Sequence, residues 1–201
     1  MNNFEFEWQG KKYWYSRSMT AVVYVFARDR QNNNEWCILA DKRGPGCPTC
    51  VGMWNVPCGY LDFNESIIGT KNQNSSGFTE GAALRELREE TGVKLTPSDL
   101  KFHSLFTLPF GKKQNINCAF YAVLDKDVTE YPTSTQYSEP NEVSDIQWIP
   151  ISHIDQYEFA FHQRPIIRDI YRMYVNIGWW IKLMLRLSNY LNKKYRNKLV
   201  K

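Results

Sequence analysis

The chain has 201 residues, of which 43% are hydrophobic and 15% aromatic, which suffices for one domain with a buried core and excludes a disordered protein. Its net charge of +4 does not indicate a basic surface throughout, because residues 182–201 carry seven Lys or Arg and no acid, and the remaining chain is slightly acidic. No stretch reaches the roughly 18 apolar residues that would cross a membrane, which excludes a membrane-spanning helix.

Strand-forming residues occur in short runs that are separated by polar or proline-containing segments. The first two runs flank the polar turn 31–34, and the last run precedes Pro150. Each run is rich in β-branched or aromatic residues, which favour strands. The expected strands are residues 20–26, 36–40, 54–60, 101–108, 116–124 and 143–149.

Two segments have the features of helices. Residues 80–91 carry an apolar stripe, with Thr79 placed as the N-cap and Gly92 as the C-terminal stop. A second helix is expected to begin near Pro165, which suits a first turn, and to run past Tyr174. Strands mixed with two separated helices predict an α/β or α+β sandwich rather than a helix bundle.

The first of these helices carries a cluster of carboxylates. Residues three and four apart are neighbours on a helix, so Glu86, Glu89 and Glu90 project from one side. Mg²⁺ takes hard oxygen ligands of this kind, and Arg85, four residues before Glu89, could hold that carboxylate by an ion pair. The alternative is the solvated face of an amphipathic helix, which the local pattern alone favours.

The residues upstream add a second half to this pattern. Gly59 and Glu65 precede the helix, and Arg85-Glu86-Leu87-Arg88-Glu89-Glu90-Thr91-Gly92-Val93 follows. Together they resemble the signature of the Nudix hydrolases, which is Gly, five residues, Glu, seven residues, then Arg-Glu-aliphatic-any-Glu-Glu-any-Gly-aliphatic. The wider resemblance covers residues 18–172.

The chain departs from that signature in two ways. Nineteen residues instead of seven separate Glu65 from Arg85, which corresponds to an insertion of about 12 residues within 66–79. The insertion contains the polar stretch 71–77, so we expect a surface loop. If it displaces Glu65, Glu80 is a substitute acid. Cys58 stands where the family usually has another glycine.

The resemblance implies a mixed β-sheet sandwiched between helices for residues 1–176. It also implies that Glu86, Glu89 and Glu90 bind Mg²⁺ or Mn²⁺, that the carbonyl of Gly59 adds a ligand, and that Glu65 supports the site. The implied reaction is attack of a metal-activated water on a nucleoside diphosphate linked to another group, such as ADP-ribose or a dinucleotide.

The same resemblance implies catalytic roles for Arg85, Glu86 and Glu89. A catalytic base often comes from outside the signature in this family. Glu142, which stands ahead of a predicted strand, is the first candidate, and Glu139 is the alternative. The interpretation that both are ordinary loop acids stays open.

Other residues permit more than one interpretation. Cys47 and Cys50 lie in a C-x-x-C pattern that indicates a reduced loop more than a zinc or redox site, because a structural zinc site needs four ligands and Gly44-Pro45-Gly46 indicates a loop. The three histidines, His103, His153 and His162, are interpreted as packing or capping residues. Some strand aromatics are candidates for base stacking, although such residues are mostly core: Tyr24, Phe106, Phe110 and Tyr121.

The last segment, residues 177–201, is predicted to form a basic amphipathic helix. Lys182, Arg186, Lys193 and Arg196 fall on one stripe. Packing on the body or on a second subunit is the favoured role, and contact with an anionic membrane or with nucleic acid are the alternatives. A homodimer is therefore one open alternative.

The leading function is a cytoplasmic Nudix pyrophosphohydrolase. The location is expected because the chain shows no signal peptide and has five cysteines, an odd number that indicates reduced thiols. The runner-up is a Nudix-like module that senses a nucleotide and uses its basic tail to contact nucleic acid or membrane. The intact carboxylate trio favours the enzyme, because a sensor needs no complete metal site. A zinc-stabilised interaction domain is a third, remote alternative.

Overall fold

The computed structural model describes residues 3–16, 19–61, 78–107, 115–139 and 141–176, together with Met184 and Ser188. The chain forms two compact units, residues 1–167 and residues 168–201. The first unit contains every described strand and, among the described residues, one complete α-helix, α1, Phe78–Thr91. The strands are β1 Asn3–Trp8, β2 Lys11–Ser16, β3 Met19–Asp29, β4 Glu35–Arg43, β5 Trp54–Asn55, β6 Cys58–Tyr60, β7 Lys101–Thr107, β8 Ile116–Asp127 and β9 Val143–Pro150.

Seven of these strands form one mixed sheet. Its order is β5-β4-β3-β8-β7, with β6 paired to β3 and β9 paired to β4, while β1 and β2 form a separate two-stranded sheet. β3 and β8 are parallel and the other pairs are antiparallel. Residues 21–27 of β3 are all buried, as expected of a central strand that is covered on both faces.

Helix α1 packs one face onto this sheet. Ala82, Ala83 and Leu87 join the core cluster that includes Val23 and Phe120. The two alanines allow close approach of the helix, and truncation of the fully buried Leu87 should cost about 2–5 kcal/mol. Because this apolar stripe fixes the rotation of α1, it also fixes the direction in which the carboxylates of the helix point.

The ends of the helices test the capping predictions. The N-cap prediction for Thr79 is wrong, because α1 already begins at Phe78 and places Thr79 in the first turn. At the other end Gly92 follows the helix and its N–H donates to the carbonyl of Arg88 over 2.9 Å, which confirms the stop. Helix α2, Gln163–Ile170, has proline in its first turn, and a π-helical turn, Tyr171–Val175, continues it past residue 174.

Most strand predictions are confirmed. Residues 101–107 form β7, whereas residue 108 and the connection after it lie outside the described residues. The single strand expected over 54–60 is wrong: it divides into β5 and β6, which pair with different partners, β4 and β3. The chain crosses between them at Pro57, whose carbonyl accepts from the N–H of Val23 over 3.0 Å.

The predicted fold class, a mixed sheet sandwiched between helices, is confirmed. The inserted loop falls outside the described residues except for its last two positions, and so does Glu65. Of residues 177–201, only Met184 and Ser188 are described, and both are helical. The domain boundary predicted at residue 176 stays a prediction. None of the helices in the described ranges is long and apolar enough to cross a membrane.

Candidate active site

Helix α1 directs its carboxylates into a cavity of about 760 Å³. The other walls come from β3, β6, the loop after β4 and the turn before β9. Five acidic and two basic side chains line the cavity, which gives it an excess of negative charge. They are Glu86, Glu89, Glu90, Glu139, Glu142, Arg43 and Arg85.

The three glutamates of the helix differ in burial. Glu90 is only 3% exposed, and its Oε2 accepts a hydrogen bond from the N–H of Cys58 over 2.9 Å. The side chain of Glu86 is 14% exposed and that of Glu89 is 45% exposed. The alternative of a solvated helix face is therefore wrong for Glu86 and Glu90. Exposure to solvent rises from Glu90 through Glu86 to Glu89.

Arg85 ties these carboxylates to the sheet. Its Nη1 lies 2.7 Å from Oε1 of Glu86 and 2.9 Å from Oε2 of Glu89, and its Nη2 donates to the carbonyl of Tyr60 over 2.8 Å. The ion pair with Glu89 is the one that the four-residue spacing predicts. The pair with Glu86, the adjacent residue, is not predictable from helix periodicity.

The backbone of Gly59 lies directly against the carboxylate of Glu86. A Cβ atom at this position would overlap both oxygens of that carboxylate, so only glycine permits the approach. Gly59 belongs to β6 and pairs with Ala21 of β3, which holds it rigidly beside α1. The structure thus places Gly59 beside the carboxylate of Glu86.

Burial changes the proton affinity of these groups. It raises the pKa of Glu86 to about 7, although the guanidinium of Arg85 opposes the rise. It also raises the pKa of Glu90 well above its ordinary value, and the nearby charges of Asp41 and Glu86 raise it further. Each ionised carboxylate here loses hydration that no nearby cation in the protein fully replaces.

Asp41 is an acid of this region that the sequence did not single out. It lies on β4, is 2% exposed, and its Oδ1 has no hydrogen-bond partner among the described residues. Burial raises its pKa to about 7. Its proximity to Glu90 follows from the packing of β4 beside α1, which no local pattern reveals.

The donor set fits a hard divalent cation. It consists of the carboxylate oxygens of Glu86, Glu89 and Glu90, which line one cavity, and glycine at position 59 lets the main chain lie against the carboxylate of Glu86. Arg85 engages Glu86 and Glu89 directly. Among the described side chains no group of three or more is already arranged to hold a metal.

The cavity also contains the two candidate catalytic bases from outside the signature. Glu142 and Glu139 both line it, and the N–H of Glu142 donates to the carbonyl of Glu139 over 3.1 Å. Burial raises the pKa of Glu142, and the charge of Glu139 raises it further. The topology thus places Glu142 across the cavity from the helix.

Aromatic and amide side chains form the rest of the wall. Of the stacking candidates, Tyr24 and Phe106 line the cavity, whereas Tyr121 is buried in the sheet and Phe110 lies outside the described residues. Phe161 was missed, and Arg43 lies 5.1 Å from the centre of its ring. Further lining residues without a sequence signal are Tyr60, Tyr137, Asn115 and Asn117.

The cysteines and Glu80 occupy different positions relative to the cavity. Cys47 and Cys50 lie in a loop, as predicted, and the thiol of Cys47 donates to the carbonyl of Glu142 over 3.2 Å. Cys58 lines the cavity, and all five cysteines are free thiols. Glu80 lies in the first turn of α1 and is not among the lining residues.

Comparisons with known proteins identify the family and the fold. A family model described as the NUDIX domain matches residues 17–170. The fold is similar to the NUDIX domain of Shewanella oneidensis NrtR complexed with ADP ribose, at 18% identity and a TM-score of 0.56 over 75% of this chain and 83% of that one. It is also similar to RenU, a Nudix hydrolase from M. smegmatis, at 16% identity and a TM-score of 0.55 over 85% and 94% of the two chains.

A third similar structure is the bifunctional NMN adenylyltransferase/ADP ribose pyrophosphatase from Francisella tularensis, at 20% identity and a TM-score of 0.57 over 76% of this chain and 40% of that one. No curated protein matched the chain in sequence. The family match spans most of the chain, so the protein belongs to the NUDIX domain family. It is a hydrolase that acts on acid anhydrides containing phosphorus.

Proposed function

We propose that the protein is a metal-dependent pyrophosphohydrolase that cleaves a phosphoanhydride bond of a nucleoside diphosphate linked to another group. The observation that carries this proposal is the convergence of Glu86, Glu89, Glu90 and Glu142 in one cavity of about 760 Å³. Carboxylates gathered at this density repel one another when ionised, and a bound cation relieves that repulsion.

Glu86, Glu89 and Glu90 would hold Mg²⁺ or Mn²⁺, with the carbonyl of Gly59 as a further ligand. The cation would lower the pKa of a bound water and neutralise charge on the diphosphate. Arg85, bonded to Glu86 and Glu89, keeps both carboxylates directed into the cavity. Glu65 is proposed to support the site on the strength of the signature alone.

Glu142 is the proposed proton acceptor for the attacking water. Its raised pKa makes it a stronger base than an exposed carboxylate, which suits proton transfer near neutral pH. Glu139, which lines the same cavity, is the alternative acceptor.

The residues that line the cavity suit the binding of a nucleotide-type substrate. Aromatic rings such as those of Phe106 and Phe161, which line the cavity, suit stacking on a base. One similar structure, the NUDIX domain of NrtR, holds ADP ribose. An ADP-ribose-like molecule or a dinucleotide is therefore the favoured substrate. A cytoplasmic location is proposed because all five cysteines are free thiols.

The experiment that tests this function is a substrate panel with Mg²⁺ or Mn²⁺. It comprises ADP-ribose, NADH, diadenosine polyphosphates, nucleoside triphosphates, sugar nucleotides and capped RNA. We expect turnover of at least one compound, loss of turnover with EDTA, and a loss by orders of magnitude in Glu89→Gln and Glu90→Gln. Glu80→Gln, on the same helix but outside the cavity, is the matched control.

Equal activity in Glu90→Gln and the control would contradict the assignment of the site. An inactive wild type that still binds one of the nucleotides would instead support the sensing module, whose basic tail would then be tested for contact with nucleic acid or membrane.

A further inference from the structure

The loop that connects β4 to β5, residues 44–53, lies against the turn that carries the proposed proton acceptor. We call residues 44–53 the β4–β5 loop. We call Glu139, Asn141 and Glu142 the acidic turn. The N–H of Gly44 donates to the carbonyl of Glu142 over 2.6 Å, and the N–H of Gly46 donates to that of Asn141 over 2.8 Å. The thiol of Cys47 donates to the same Glu142 carbonyl over 3.2 Å. Three donors of one loop thus hold two consecutive carbonyls.

The β4–β5 loop is itself fixed to the end of β4. The N–H of Arg43 donates to the carbonyl of Met53 over 2.9 Å, and the N–H of Gly52 donates to that of Arg43 over 2.8 Å. The guanidinium of Arg43 donates to the carbonyl of Thr49 over 3.0 Å. These bonds join both ends of the loop to the sheet, so the loop can serve as a rigid support.

Steric fit at Gly44 makes the contact specific. A Cβ atom there would overlap the carbonyl oxygen of Asn141 and would stand 3.0 Å from the carbonyl carbon of Glu142. Asn141 has a left-handed φ of 63°, a conformation that asparagine adopts more readily than other non-glycine residues. The hydrogen bond from Gly46 to its carbonyl holds this turn against the loop.

We propose that the β4–β5 loop is a positioning element for Glu142, with Gly44 and Cys47 as its positioning residues. The loop fixes the main chain of Glu142 so that its carboxylate faces the cavity, opposite Glu86, Glu89 and Glu90. The C-x-x-C cysteine at position 47 then acts as a hydrogen-bond donor. This inference rests on the proposed role of Glu142 as the proton acceptor.

The first part of the test compares three variants at these two positions. Gly44→Ala displaces the acidic turn and should lower kcat by about tenfold or more, since small misplacements of a reacting group are costly, with KM changed less than about twofold. Cys47→Ala loses one weak donor and should lower kcat by about two- to fivefold. Cys47→Ser keeps a donor and should restore kcat to near the wild-type value. Gly81→Ala is the matched control, because a Cβ at that helix position meets open space.

The second part repeats Gly44→Ala in a Glu142→Gln background. If the loop acts through Glu142, the double variant should be no slower than Glu142→Gln alone, because the group to be positioned has already been removed. If Gly44→Ala lowered kcat by the same factor in the Glu142→Gln background as in the wild type, the proposal would be overturned. A change in KM rather than kcat, or a Cys47→Ser variant as slow as Cys47→Ala, would also overturn it.

The roles proposed for Glu142 and for the β4–β5 loop can be refuted separately. Full activity of Glu142→Gln would refute the proposed proton acceptor, and with it this inference. A Glu142→Gln variant that is slow but still measurable, in which Gly44→Ala causes the same fold loss as it does in the wild type, would refute only the positioning. If Gly44→Ala does not give a cooperative thermal transition, the two Cys47 variants decide the outcome.

Discussion

The burial of Glu86 should appear as a pH dependence of stability in the metal-free protein. Burial raises the pKa of this carboxyl from 4.5 to about 7, so the folded chain binds the proton more tightly than the unfolded chain does. Its contribution to stability is therefore complete below the unfolded pKa and is lost as pH rises through about 7. Because a tenfold difference in proton affinity is worth about 1.4 kcal/mol, Glu86 alone should lower the free energy of unfolding by up to about 3 kcal/mol across this window.

Urea unfolding in EDTA, measured from about pH 5 to about pH 8, tests this sign and size. The wild type should lose stability over that range, and Glu86→Gln, which cannot ionise, should lose markedly less. Glu80→Gln, on the same helix, should follow the wild type. Mg²⁺ should restore stability above neutral pH in the wild type but not in Glu86→Gln. Parallel pH profiles for the wild type and Glu86→Gln would refute the argument from burial.

Three further predictions concern the cavity and the basic tail. Glu142→Gln should lower kcat by about 10²-fold with little change in KM, whereas Glu139→Gln should keep most of the activity. If steady-state kinetics gave the reverse result, Glu139 and not Glu142 would be the proton acceptor. Gly59→Ala places a Cβ on the carboxylate of Glu86, so the variant should need more Mg²⁺ for half-maximal rate, and an unchanged Mg²⁺ titration would refute the close approach. A chain that ends at Gly178 keeps the family match of residues 17–170. It should retain the wild-type kcat if the basic tail is a targeting device, whereas an insoluble or unfolded product would show that the tail packs.

Sequence patterns located the parts of the site that depend on local geometry. The buried run of β3, the end of α1 before Gly92 and the ion pair of Arg85 with Glu89 each follow from spacing within one element. The start of α1 at Phe78, two residues earlier than expected, reflects the looseness of helix ends, where a capping residue and a first-turn residue look alike.

The rest depends on how separate elements meet. Asp41 lies near Glu90 because β4 sits in the sheet beneath α1, and no spacing within β4 encodes that. Glu142 lies at the cavity because β9 pairs with β4 and their register shifts between Lys42 and Arg43, which brings the residues before β9 to the loop after β4. In the sequence Cys47 belongs to a C-x-x-C pattern with Cys50. Only the tertiary contact with Glu142 shows that its thiol is a hydrogen-bond donor.

The most direct test of the proposed site is the binding of Mn²⁺, followed by electron paramagnetic resonance as the free ion disappears from solution. The wild type at about pH 8 should bind Mn²⁺ at a site that Glu90→Gln weakens by at least about tenfold, while Glu80→Gln binds as the wild type does. Equal binding in all three proteins would contradict the claim that the carboxylates of α1 hold the catalytic cation.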